Sequence, residues 1–340
     1  MVSMAEGLAR LRVLAESPVV DALATAFAAA GHELAVVGGP VRDALLGRDV
    51  HDLDFTTDAD PSTILRIVTP ISTAQWDIGR AFGTIGARVL GEQVEITTYR
   101  ADSYDGVTRK PTVEFGTALE PDLARRDFTM NAMALRVPQL QLVDPTGGVE
   151  DLLAGRLRTP GDPHVSFGDD PLRMLRAARF ASQLEVEVVP ETVAAMAELR
   201  ETLSIVSPER VQGELVRLMQ TDDPVRGIRL LVETGLMAEF LPEVPALRLE
   251  VDEHHHHKDV YEHSLTVLRQ AISLEKSRHP DAAPDVALRI ASLLHDIGKP
   301  ATRRLESGGA VTFHHHDVKG ARLARTRLLA LRFASDALSP

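Results

Sequence analysis

Hydrophobic positions change their period twice along the 340 residues. From residue 5 to 30, Ala and Leu recur at helical spacing, and Gly31 supplies a helix stop. An apolar run at 34–37 and alternating patterns at 52–56, 85–90 and 93–99 then predict strands, with Gly91-Glu92 turning between the last two. A β-like piece at 140–143 leads into the turn signal Asp144-Pro145-Thr146-Gly147-Gly148. After Asp170-Pro171 the helical period returns, predicting helices over 171–182, 190–202, 208–220, 224–235 and 260–275. Pro171, Pro190, Pro208 and Pro224 stand near the predicted helix starts, where a missing N–H costs nothing. The pattern describes an α+β chain: a small-sheet head of about 150 residues, followed by all-helical domains. We place the boundaries at 1–150, 151–250 and 251–340.

Composition narrows this little. Hydrophobic residues make up 44% and charged residues 25%, as in ordinary globular proteins. No apolar run reaches membrane-spanning length and the N-terminus lacks a basic-then-apolar signal, so no membrane partner is expected. The absence of cysteine excludes disulfides and thiolate catalysis and fits a cytoplasmic protein. A net charge of −12 argues at first against nucleic acid. Arginines nevertheless cluster at 42–48, 100–109, 125–126, 173–179 and 322–332, and a basic groove on an acidic body can still bind RNA. The tract His254 to His257 reads as a loop, because spacing rather than count makes a ligand set.

The stretch from Val36 to Thr57, VVGGPVRDALLGRDVHDLDFTT, carries the most chemistry. The apolar run breaks at Gly38-Gly39, an amphipathic segment follows, and Asp52 and Asp54 then fall on the next strand pattern. Alternate strand residues share a face, so the two carboxylates converge. Two carboxylates beside a glycine turn suit a Mg²⁺-bound nucleotide, with Gly39 and Arg42 touching its triphosphate. Glu95, polar between Val94 and Ile96, is a third candidate carboxylate on the neighbouring strand pattern, with an exposed strand glutamate as the alternative.

At these residues the chain resembles the bacterial and eukaryotic CCA-adding enzymes and the bacterial poly(A) polymerases, within the DNA polymerase β-like nucleotidyltransferases. The resemblance continues through Arg125-Arg126-Asp127-Phe128-Thr129, through 144–152 and through 169–180, about the first two-thirds of the chain. It implies that Asp52 and Asp54 hold the catalytic metal and that Arg126 and Asp127 meet the incoming nucleotide, Asp127 accepting from ribose hydroxyls. Asn131 caps or braces that segment. The resemblance also implies that Asp170 and Arg173, one helical turn apart, read the base edge in place of a template. Cytosine and adenine each present an amine donor beside a ring-nitrogen acceptor, matching an Asp acceptor and an Arg donor; guanine and uracil reverse the pattern. Arg176 and Arg179 continue the same spacing and are candidates for phosphate contacts, with a surface helix laced with arginines as the alternative. DPTGGVEDL at 144–152 resembles a mobile connecting element, and an ordinary loop fits it equally.

Near the C-terminus, His263, His295-Asp296 in LLHDIGKP and the run Phe313-His314-His315-His316-Asp317 resemble an HD-type metal-binding domain. His-Asp on a helix with His263 on a neighbour can hold a second divalent metal. HD hydrolases use a further aspartate on a later helix. Asp336 follows Asp317 too soon for that place, so phosphohydrolase activity is not expected.

The resemblance implies template-independent addition of C, C and A to tRNA 3′ ends, with CTP and ATP as substrates and Mg²⁺ as cofactor. A bacterial poly(A) polymerase is the alternative within the class. Only Arg48-Asp49-Val50-His51 separate LLG from the aspartates, where such polymerases carry a longer basic-aromatic insert. An HD phosphohydrolase with a non-catalytic head is the alternative from another class, and the intact Asp52 and Asp54 weigh against it.

Overall fold

Pro18 splits the helical stretch at the N-terminus into two helices, α1 (Met4–Ala15) and α2 (Pro18–Ala29), because a proline ring fits a first turn but not a helix interior. The structure is a computed structural model that describes residues 4–50, 52–79, 83–103, 112–116, 118–249, 259–307 and 311–334. The tract at 254–257, Arg109 and Asp336 lie outside the described residues. The chain divides into two compact units, Met1–Asp162 and Pro163–Pro340.

In the first unit, β1 (Leu34–Val37) leads into α3 (Gly39–Leu46), β2 (Leu53–Thr57) and α4 (Pro61–Val68). Strands β3 (Ser72–Gly79), β4 (Thr84–Val89) and β5 (Glu92–Thr98) form a meander, and a separate pair joins β6 (Arg100–Ser103) to β7 (Thr112–Phe115). After α5 (Leu119–Ala124) come β8 (Ala134–Val137), β9 (Gln141–Val143) and α6 (Gly148–Leu153). Seven strands make one mixed sheet in the order β3-β4-β5-β2-β1-β8-β9. Every neighbouring pair is antiparallel except β2 and β5. All four residues of β1 are buried, as a central strand requires. Val19, Val20, Leu23 and Phe27 of α2 are buried too, while Ala35, Val37, Tyr99, Leu119, Leu123 and Ala134 form a core cluster.

Two sheet members escape the sequence pattern. β3 is a largely polar edge strand, with exposed Ala74 and Gln75, and so shows no buried alternation. β8 is four residues long, and its Arg136 interrupts an otherwise apolar run.

The second unit is helical, with only two-residue strands among the described residues. Its helices are α7 (Pro163–Asp169), α8 (Leu172–Leu184), α9 (Pro190–Glu198), α10 (Pro208–Met219), α11 (Pro224–Glu233) and α12 (Leu236–Phe240). They are followed by α13 (Val260–Arg278), α14 (Val286–Leu294), α15 (Lys299–Thr302) and α16 (His316–Ala330). Helices α8 and α11 cross closely at Gly227, where a Cβ would stand 2.4 Å from the Ala178 carbonyl oxygen. Buried Arg289 donates to the carbonyls of Met219 and Thr221, at 2.6 and 2.9 Å, and to Glu275 at 2.8 Å. One cation thus ties α13 and α14 to the end of α10.

Candidate active site

Strand β1 ends at Gly38, whose φ of +76° favours glycine. The Gly38 amide donates to the Met133 carbonyl, at 3.0 Å, while its own carbonyl accepts from Arg42 N at 3.1 Å and starts α3. A Cβ at Gly38 would stand 3.2 Å from Arg126 Nη1. The missing side chain therefore makes room for a guanidinium beside the turn.

Asp52 is exposed, one residue before β2, and Asp54 is half-buried on it. Glu95 is the register partner of Asp54 across the parallel β2–β5 pair. Burial pushes the Asp54 carboxyl above its ordinary value; Arg126 opposes the shift and Asp52 adds to it. Glu95 is likewise raised, by burial and then by the charges of Asp54 and Asp52. Three carboxylates repelling one another where water is partly excluded are candidate oxygen donors for a hard divalent cation.

The RRDFT segment packs beside them. Asp127 Oδ1 accepts from Phe128 N at 2.8 Å and from Asn131 Nδ2 at 3.1 Å, and Asn131 Oδ1 accepts from Arg42 Nη1 at 2.6 Å. Thr129 Oγ1 donates to Asp151, itself buried, at 2.7 Å. Asp144 caps α6 by accepting from Gly148 N and Val149 N, at 2.7 and 2.9 Å. The DPTGGVEDL stretch is thus the capped start of a short helix clasped to Thr129.

In the second unit, Asp170 lies between α7 and α8. Its Oδ1 accepts from Leu172 N at 3.2 Å and its Oδ2 from Arg210 Nη2 at 2.9 Å. Arg173 is half-buried, and its Nη1 donates to Ser166 Oγ at 2.9 Å. Arg176 is half-buried over the Phe180 ring, 5.6 Å from its centroid.

A third group gathers past the end of α14, where His295 and Asp296 stand in a turn rather than on the helix itself. The ligand atoms of His263, His295 and Asp296 lie within 4.8 Å of one another. His316 Nε2, at the start of α16, is 3.6 Å from Asp296 Oδ1. His295 Nδ1 lies 2.8 Å from the Ser292 carbonyl and His316 Nδ1 2.9 Å from that of Phe313. A carbonyl can only accept, so each Nδ1 carries a proton and each Nε2 is the atom turned toward Asp296. Buried Asp296 Oδ2 has His295 Nε2 and Lys299 Nζ both at 3.1 Å, without hydrogen-bond alignment to either. Burial opposes ionisation of Asp296, but His295 and Lys299 together hold its pKa at about 2.

Sequence families match all three regions: the Poly A polymerase head domain over residues 34–158, the probable RNA and SrmB-binding site of polymerase A over 186–247, and the HD domain over 260–339. A CCA-adding enzyme from Geobacillus stearothermophilus is 34% identical over 282 residues, 79% of this chain and 68% of that protein. The chain belongs to the CCA-adding enzyme family. The Bacillus pumilus member is 39% identical over 221 residues, 65% of this chain and 54% of that protein. The chain thus spans about half the length of several curated relatives it matches. The crystal structure of the Bacillus stearothermophilus CCA-adding enzyme in complex with CTP superposes with a TM-score of 0.65 at 27% identity, covering 93% of this chain and 66% of that one. The Thermotoga maritima CCA-adding enzyme complexed with tRNA shares the fold, with a TM-score of 0.65 at 20% identity, covering 94% and 68%.

Two of the arginines expected to meet the nucleotide have protein partners in this structure. Arg42 is 5% exposed and engages both oxygens of Asp43 as well as Asn131. Arg179 is buried, donates to Glu214 and Gln183 at 2.7 Å each, and lies 4.0 Å over the Phe180 ring. Gln183 lies on α8 itself and Glu214 on α10. Two residues beside these groups had no place in the sequence analysis: His316 was one of three adjacent histidines with nothing to single it out, and Asp122 carried no signal of its own.

Proposed function

We propose that this CCA-adding enzyme family member adds CMP and AMP, without a template, to the 3′ end of tRNA. One observation carries the proposal: Asp54 and Glu95 face each other across the β2–β5 register, with Asp52 beside them and Arg126 against the Gly38 turn. The family supplies the prior. Relatives are named CCA-adding enzymes, and the named structures hold CTP or tRNA.

The tRNA 3′-hydroxyl attacks the α-phosphorus of CTP or ATP, and pyrophosphate leaves. Asp52 and Asp54, with Glu95 alongside, would hold the divalent ion, which we assign as Mg²⁺ from their all-oxygen character. Such an ion would supply charge neutralisation at the attacking and leaving oxygens. Arg126 presents its remaining N–H donors toward the triphosphate at the glycine turn, and Gly39 lets the backbone approach it. Asp127, fixed by Asn131, accepts from the ribose. A cysteine-free chain of this kind belongs in the cytoplasm.

Asp170 and Arg173 read the base edge, Asp170 accepting from the amine of C or A and Arg173 donating to the ring nitrogen, with Arg176 supporting the same face. A good bidentate pair is worth about 1–3 kcal/mol of discrimination. Arg173→Ala and Asp170→Ala will therefore lower the preference for CTP and ATP over UTP and GTP by roughly tenfold or more. The measurement is incorporation efficiency for all four nucleotides. Unchanged selectivity at reduced rate would make the pair a helix brace.

The HD region supports a second, separate metal site. Three imidazole Nε2 atoms around Asp296 favour a transition metal over Mg²⁺. Calorimetry with Mn²⁺ should show one binding event that weakens roughly 10–100-fold in His295→Ala or His316→Ala, with nucleotide addition unchanged. Equal Mn²⁺ affinity in His316→Ala would remove that residue from the set.

A further inference from the structure

Asp122, on α5, is fully buried and touches no expected substrate. Its Oδ1 accepts from Arg125 Nη2 at 2.7 Å, Arg125 Nε at 3.2 Å and Arg100 N at 3.2 Å. Its Oδ2 accepts from Arg126 Nη2 at 3.3 Å and Thr56 Oγ1 at 3.5 Å. Thr56 is two residues along β2 from Asp54, and Arg100 follows the end of β5, the strand of Glu95. One carboxylate therefore joins both carboxylate-bearing strands to Arg126.

The other end of that guanidinium is equally confined. Arg126 Nη1 fills the space a Cβ on Gly38 would need. Arg126 Nε is buried with no hydrogen-bond partner among the described residues, an arrangement that costs free energy unless an acceptor arrives. The charge also bears on Asp54, whose carboxyl it stabilises in the ionised form. Although burial opposes ionisation of Asp122, the Arg126 and Arg125 charges hold its carboxyl below the ordinary value. A carboxylate gripping one edge of Arg126 leaves the other edge directed at the glycine turn.

We propose that Asp122 is a positioning residue: it fixes the Arg126 guanidinium between the Gly38 turn and Asp54, where the free donors receive the phosphates of the bound nucleotide. This deepens the nucleotidyltransferase assignment and rests on it. Asp122 acts only through Arg126. Arg125, which grips the other oxygen, stiffens the anchor without meeting the nucleotide.

The test is a double-mutant cycle on CTP affinity, measured by calorimetry with Mg²⁺, alongside kcat, KM and melting temperature. Asp122→Asn and Arg126→Met should each weaken CTP by roughly tenfold or more, the scale of a charge-assisted hydrogen bond. The double variant should bind no worse than Arg126→Met alone, since the two residues form one unit. KM should move more than kcat. Arg125→Met should lower the melting temperature, because it strips buried Asp122 of a partner at 2.7 Å, and leave CTP affinity within about twofold, because Arg125 does not meet the nucleotide. Arg126→Lys keeps the charge and the intact anchor but cannot span Asp122 and the turn together, so it should bind CTP weakly in a folded chain. Multiplying effects in the double variant, or wild-type affinity in Arg126→Lys, would overturn the positioning role. A wild-type chain that binds no CTP would overturn the nucleotidyltransferase assignment, and this role with it.

Discussion

Asp54→Asn should reduce nucleotide addition by roughly 10³-fold or more, equivalent to about 4 kcal/mol of lost transition-state stabilisation. Asn keeps the shape of Asp and removes the charge that Glu95 and Asp52 share. The fold should not suffer. The Asp54 pKa is raised in the folded state, so the folded chain holds that proton more tightly than the unfolded chain. Its ionisation therefore costs stability once pH rises past the ordinary carboxylate range. Removing the charge lifts that cost, and Asp54→Asn should melt at or above the wild-type temperature in the absence of divalent cations. Steady-state addition and thermal melting measured on the same preparation check both halves. Near-normal turnover would take Asp54 out of the metal set.

Gly148→Ala should damage stability and activity together. A Cβ there would stand 2.1 Å from the Thr129 carbonyl oxygen and 2.8 Å from Met133 Cγ. The first obstacle is backbone within the turn Thr129–Asn131, so no rotamer change relieves it. Overpacking of this kind costs about 1–3 kcal/mol. The displaced turn carries Asn131, which holds both Asp127 and Arg42. A shift of about 1 Å in a positioning group costs on the order of 10²-fold in rate. Gly161→Ala, with nothing within 4 Å of its added methyl, is the control. If Gly148→Ala matched that control in melting temperature and kcat/KM, the clasp of α6 on Thr129 would have no functional weight.

What the chain revealed in advance follows the range of the interactions concerned. The nearness of Asp52 to Asp54 was legible because residues two apart in an extended segment lie on the same side. Glu95 was half-legible: alternation gave its face, but its pairing with Asp54 depends on a parallel register closed across forty residues of intervening chain. Arg179 carried the same i,i+3 spacing as Arg173 and Arg176, and its ion pair with Glu214 depends on the packing of α10 against α8. Arg42 stood where a phosphate-binding cation belongs, and its hydrogen bond to Asn131, far along the chain, was not visible locally. Among three consecutive histidines, the left-handed backbone at His315 starts α16 and directs His316 to Asp296. No local pattern encodes that choice.

The most direct measurement is extension of a tRNA transcript lacking its 3′ CCA, resolved to single nucleotides. With CTP alone the product should gain two residues; with CTP and ATP together it should gain CCA and stop; UTP and GTP should add nothing appreciable. No extension under any mixture, or an A tail that lengthens without limit, would contradict the assignment.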